Sequence, residues 1–327
     1  MAAQKIIIDC DPGIDDALAL VLAHGHPDLE LLGITTVAGN VDLGQTTENA
    51  LRVREYAGIK VPVTAGCPGP LARPARHARD VHGSSGLGAA RIPPASSGPA
   101  DGHAVDYLAA AIGAEPGQIT LIAIGPLTNI ALALRRYPHL VSQVGSFVIM
   151  GGSAGRGNAT PAAEFNIAAD PEAAAIVFGA GWPVTMIGLD VTLQARATAA
   201  VRDRMRGLGR LADDLLLPSL SGYRGNSHGP GPEPADGPAV HDVCAVASVA
   251  APGLITCVPA RVEVETAGRW TAGMTVTDFA APAGDCNAQV AVAIDVGGFW
   301  DLVLDAYGRV AREMSGEGTP AAGTAAP

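Results

Sequence analysis

Short apolar runs alternate with amphipathic stretches along most of the chain. The segments 6–9, 30–37, 61–65, 119–124, 146–150 and 184–189 are dense in Ile, Val and Leu and predict buried strands. Between them, 15–25, 44–57, 104–113, 127–136, 171–179 and 198–217 carry the apolar spacing of helices. Strand–helix alternation of this kind predicts an α/β fold, with a mostly parallel central sheet flanked by helices on both faces. The alternation continues through a helix at 242–250, strands at 262–265 and 289–295 and a last helix at 299–312. No linker interrupts it, so a single domain over 1–314 is expected. Two segments break the pattern. The Gly- and Pro-rich 225–238 reads as a long loop, functional or disordered, and the low-complexity 315–327 reads as a disordered tail.

One polar motif interrupts the first strand–helix pair. DCDPGIDDA at 9–17 places Asp9, Asp11, Asp15 and Asp16 directly after an apolar strand. Like charges roughly 5 Å apart repel by about 3 kcal/mol at an effective dielectric near 20. The cluster is therefore either a solvated acidic turn or a cation site, and its position between a buried strand and a helix start favours the cation. Side chains alternate along a strand, which puts Asp9 and Asp11 on one side. Pro12-Gly13 turns the chain, and Asp15 and Asp16 fall in the first helical turn, where the dipole and free N–H groups favour negative charge. Oxygen ligands without nearby Cys or His point to Ca²⁺ or Mg²⁺ rather than zinc. The carboxyl end of a first strand is also where open α/β sheets bind ligands.

Composition narrows the function classes. Hydrophobic content of 48% with 16% charged residues describes a globular chain, and a net charge of −11 without a basic patch argues against a nucleic-acid partner. No apolar run reaches the ~18 residues of a membrane span, and no signal peptide is evident. Cys10, Cys67, Cys244, Cys257 and Cys286 are scattered and odd in number, as in a reduced, cytoplasmic protein.

Further polar clusters follow predicted strands. Gly39-Asn40 ends the second strand. HGSSG at 82–86 is a turn or part of a site, and GPLTN at 125–129 suits a helix start with Pro126 at its first position as well as it suits a function. MGG at 150–152, GN at 157–158 and EFN at 164–166 form another strand end; Glu164 and Asn166 are either ligand contacts or cap and turn residues. Asp242 is an ordinary helix N-terminal residue when taken alone. With His241 beside it, it also matches a carboxylate site with a proton donor.

Taken in order, DCDPGIDDA, TTVAGN (35–40), HGSSG, GPLTN, MGG, EFNI (164–167), DPEAA (170–174), GLDVT (188–192), AVHD (239–242) and GMTVTDF (273–279) resemble the nucleoside hydrolases, specifically their inosine–uridine-preferring group. The resemblance implies a Rossmann-like single domain, homodimers or homotetramers, and hydrolysis of ribonucleosides to ribose and free base. It further implies Ca²⁺ on Asp11, Asp16, Asp242 and the Ile124 carbonyl, with Asp11 also the general base. Asp15, Asn40 and Asn166 would hold the ribose diol, Asn158 and Glu164 the 5′-hydroxyl, with Met150 and Phe165 beside them. His241 would protonate the leaving base and His82 would shape its pocket. Two departures stand out. Val243 replaces the family's Pro after His241-Asp242, and Tyr223 is the one aromatic residue left on the segment before His241.

Alternative readings are a hydrolase restricted to uridine and cytidine, or a non-catalytic nucleoside or Ca²⁺ binding protein. Asp9-x-Asp11 also opens haloacid-dehalogenase-like phosphatases, but Pro-Gly-Ile-Asp-Asp follows it here in place of their Thr or Val.

Overall fold

The computed structural model describes residues 3–221, 223 and 236–316. Most of the 225–238 loop and the tail from 317 onward lie outside the described residues. Nine strands form one sheet: β1 (Gln4–Cys10), β2 (Leu29–Thr36), β3 (Val63–Ala65), β4 (Ile119–Ala123), β5 (Ser146–Met150), β6 (Val184–Ile187), β7 (Ile255–Val264), β8 (Thr275–Asp278) and β9 (Ala288–Ile294). Their order is β3-β2-β1-β4-β5-β6-β9-β7-β8, parallel from β3 through β9 and antiparallel at β9-β7 and β7-β8.

The alternation of β1 creates the layers. Ile6, Ile8 and Cys10 face one apolar layer with Leu18, Val243 and Tyr307, while Ile7 faces the other with Leu121, Phe147 and Phe178. In the first layer the helix Ile14–Gly25 is almost wholly buried and packs against the helices Asp242–Ala250 and Val296–Ser315. A strand buried on both faces explains why β1 reads as a continuous apolar run.

The chain runs outward from β1 to β2 and β3, then crosses back to add β4 on the other side of β1. The strand order thus reverses between β1 and β4, and a crevice opens beyond their carboxyl ends. Asp11 and Ile124 each sit one residue past those ends.

The structure differs from the periodicity in three respects. The expected helix over 198–217 is instead Ala199–Met205, a 3₁₀ turn Arg206–Leu208, a π-helical Leu211–Leu216 and a last turn Leu217–Ser221. Gly209, at φ +54, breaks the run. The strand expected at 262–265 begins seven residues earlier, at Ile255, and β8 is added at the sheet edge. One-turn helices at Arg79–His82, Leu140–Gln143, Phe165–Ala169 and Leu189–Thr192 are too short to leave a helical period in the sequence.

Candidate active site

The floor of the crevice is built by the turn after β1. Asp16, in the first turn of its helix, reaches back so that Oδ1 accepts from the Asp11 amide at 3.1 Å and Oδ2 from the Gly13 amide at 2.8 Å. The acid that caps the helix is thereby aimed into the turn carrying Asp11. Asn40, just past β2, donates its backbone N–H to Asp11 Oδ2 at 2.6 Å and its amide to the Asp11 carbonyl and to Asp16 Oδ2, each at 3.2 Å. Asp11 Oδ1 is buried and has no hydrogen-bond partner among the described residues. Glycines crowd this carboxylate: a Cβ at Gly39 would stand 2.0 Å from Oδ2, and one at Gly125 would stand 2.5 Å from Oδ1. Only glycine leaves the acid its place.

Asp15, Asp16 and Asp242 offer carboxylate oxygens that all lie within 4.8 Å of one another, each buried. Burial, and then neighbouring negative charge, raises Asp11 and Asp242 well above the usual carboxylate range and Asp16 to about 7. These buried like charges, offering only oxygen, fit a hard divalent cation. The trio joins the expected ligands Asp16 and Asp242 to Asp15, while Asp11 stands outside it with Oδ1 unanswered among the described residues. Asp9 takes no part in this cluster. Its Oδ1 accepts from Thr35 Oγ1 at 2.5 Å and Asn129 Nδ2 at 2.8 Å, its Oδ2 has no hydrogen-bond partner among the described residues, and burial pushes it up to about 7.

Above the floor lies a cavity of about 170 Å³. It is lined by Asp15, Asn40, His82, Ile124, Met150, Asn158, Glu164, Phe165, Asn166, His241 and Asp242, all singled out from the sequence. Asp11 and Asp16 lie behind this lining, with no exposed surface. Asn166 donates Nδ2 to the carbonyls of Ile124 at 2.9 Å and Met150 at 3.0 Å, so its Oδ1 is the atom suited to a ligand hydroxyl. Glu164 both lines the cavity and caps the helix Phe165–Ala169. Its Oε1 accepts from the Asn166 amide at 2.9 Å, and its Oε2 accepts from Gly152 at 3.0 Å and Ile167 at 3.2 Å. Burial lifts it to about 7. Asn158 Oδ1 accepts from the Phe165 amide at 2.9 Å, tying its loop to the same helix start.

His241 donates its backbone N–H to Asp15 Oδ2 at 3.1 Å. His82 accepts the Ile14 amide on Nδ1 at 3.1 Å, and burial lowers its pKa to about 4, so the ring is neutral with its proton on Nε2. Tyr223 is buried in the wall of the cavity, its ring 5.3 Å from that of His82, and burial pushes its hydroxyl pKa well up. The sequence did not show whether this tyrosine reaches the site. Its seat does.

Arg76, His77, Asp80 and Val81 also line the cavity, and sequence reasoning missed them. His77 Nδ1 lies 2.8 Å from the Gly39 carbonyl, and Arg76 donates to the Ala159 carbonyl at 3.2 Å, closing one rim. Their only sequence signal was the density of polar residues just before HGSSG.

Residues 6–301 match the family described as inosine-uridine preferring nucleoside hydrolase. The Leishmania major protein named inosine-uridine preferring nucleoside hydrolase is 48% identical, over 94% of this chain and 98% of its own. A Klebsiella pneumoniae protein named non-specific ribonucleoside hydrolase RihC is 47% identical, over 90% and 95%. The solved purine-preferring ribonucleoside hydrolase from Gardnerella vaginalis superposes with a TM-score of 0.86 at 33% identity, covering 95% of this chain and all of that one. The motifs, the fold and these likenesses agree, and the chain belongs to the inosine-uridine preferring nucleoside hydrolase family.

Proposed function

We propose that this nucleoside hydrolase cleaves inosine, uridine and related ribonucleosides to ribose and free base, with Ca²⁺ as its metal. One observation carries the reading: a buried, oxygen-only acid cluster, with Asp11 Oδ1 beside it unanswered among the described residues, floors a cavity whose walls hold amides, carboxylates and imidazoles. Asp11, Asp16, Asp242 and the Ile124 carbonyl would hold the cation, with Asp15 close by. When bound, it supplies positive charge that orients the ribose hydroxyls and makes water a modestly better acid.

The chain's own residues do the rest. Asp11 takes the proton of the attacking water through Oδ1, the oxygen not occupied by Asn40. Breaking the bond from C1′ to the base develops an oxocarbenium-like ribosyl cation, and buried carboxylates and amide oxygens stabilise charge of that sign. Asp15, Asn40 and Asn166 hold the diol, and Asn158 and Glu164 hold the 5′-hydroxyl. Met150 and Phe165 give the cavity apolar wall. His82 and Tyr223 form a packed face on the base side, and His241 protonates the departing nitrogen. Five free thiols accord with a reducing cytoplasm, where the products would enter nucleoside salvage, and assembly as a homodimer or homotetramer follows the family.

Substrate comparison tests this. The reading predicts that kcat/KM for 2′-deoxyinosine lies at least about 100-fold below that for inosine, because buried polar groups aimed at a missing hydroxyl lose their partner. Comparable rates would contradict the diol contacts. The ratio of kcat/KM for inosine to that for uridine separates a purine/pyrimidine enzyme from one confined to pyrimidines.

A further inference from the structure

We infer that Thr192 is a positioning residue for the proton donor, holding the His241 ring so that Nε2 serves the leaving base. The inference rests on the assignment of His241 as that donor and adds the group that orients it. Thr192 Oγ1 lies 2.8 Å from His241 Nδ1, and this is the hydroxyl's one hydrogen bond among the described residues. Thr192 has no exposed surface and ends the one-turn helix Leu189–Thr192, directly after β6.

The backbone fixes the same relation. Just past Thr192, Arg196 and Ala239 form an antiparallel bridge, the Ala197 amide donates to the Pro238 carbonyl at 2.8 Å, and the Val240 amide donates to the Ala195 carbonyl at 2.9 Å. The strand-like segment that carries His241 is thereby laced to the one that follows Thr192. Ring and hydroxyl meet because their backbones are paired, and a hydroxyl is the partner this task needs.

In the reaction the bond from C1′ to the base breaks, its electron pair stays on the base nitrogen, and that nitrogen takes the proton from His241 Nε2. Nδ1 keeps its hydrogen throughout and donates it to Thr192 Oγ1. A carboxylate at this position would add a further negative charge to a site already crowded with them. A backbone N–H would forbid a proton on Nδ1. A hydroxyl accepts from Nδ1–H whether the ring is charged or neutral, so the ring keeps one orientation as Nε2 gains and loses its proton. Position 192 is therefore specified by its hydroxyl, with the methyl group and burial secondary.

The test compares Thr192→Val, which keeps the shape, with Thr192→Ser, which keeps the hydroxyl, on two substrates. Inosine needs its base protonated, while p-nitrophenyl riboside leaves as a good anion. The expected result is that Thr192→Val lowers kcat for inosine by about 10- to 100-fold and changes p-nitrophenyl riboside by less than about 3-fold, with Thr192→Ser close to the parent on both. In a His241→Ala background, Thr192→Val should cost nothing further on inosine. Equal losses on both substrates, or an added loss in that background, would show a merely structural threonine and overturn the inference. Should His241→Ala itself fail to separate the two substrates, the proton-donor assignment falls, and the role of Thr192 with it. Thermal unfolding of each variant identifies any loss that comes from misfolding.

Discussion

Replacing Asp11 with alanine is expected to abolish nucleoside turnover, by at least about 10³-fold in kcat, while leaving the protein folded. Both parts follow from one environment. Asp11 is fully buried, crowded by Gly39 and Gly125, and raised by burial and by Asp16. Its carboxylate is a liability to the metal-free fold, since removing it relieves desolvation and repulsion together. The metal-free variant should therefore unfold at a temperature equal to or above that of the metal-free parent. Ribose release and a melting curve on the same preparation check the two parts. Retained activity would remove Asp11 from its role as base, and collapse of the fold would show that its hydrogen bond from Asn40 outweighs the repulsion.

His241→Ala should divide substrates by their leaving groups. For inosine, whose base leaves poorly as an anion, kcat is expected to fall by about 10²- to 10⁴-fold, the usual worth of general acid catalysis. For p-nitrophenyl riboside the change should stay within about 3-fold, because that leaving group needs no proton. The backbone bond from His241 to Asp15 survives the substitution, so the ribose side of the cavity should keep its arrangement. An equal loss on both substrates would mean that His241 shapes the site without delivering a proton.

Most of the fold was legible because buried parallel strands are continuous apolar runs, and β1, β2, β4 and β5 lie where those runs stand. The edge was not. β8 is four residues with half its side chains outward, and the first half of β7, which includes Pro259, lacks a clean apolar run. The break at 206–216 follows from Gly207 and Gly209, which an apolar period alone does not weigh.

The site was legible where it sits on strand ends, since a polar motif directly after an apolar run marks a carboxyl-end crevice. Asp9 shows the limit of counting charges. It belongs to the same motif as Asp11, yet its Oδ1 is taken up by Thr35 and Asn129. The residues of segment 76–81 come from a largely irregular stretch whose place over the cavity depends on contacts with Gly39 and Ala159, distant in sequence. Glu164 combines two readings that looked like alternatives, because its oxygens cap a helix whose start forms the cavity wall.

The most direct measurement is ribose release from inosine by the purified protein before chelation, after chelation, and after Ca²⁺ is restored. A catalytic cation requires release that chelation removes and Ca²⁺ returns. Release that persists unchanged with the metal stripped would contradict a catalytic cation at Asp11, Asp16 and Asp242. No release from inosine or uridine by folded protein with Ca²⁺ present would contradict the proposed activity itself.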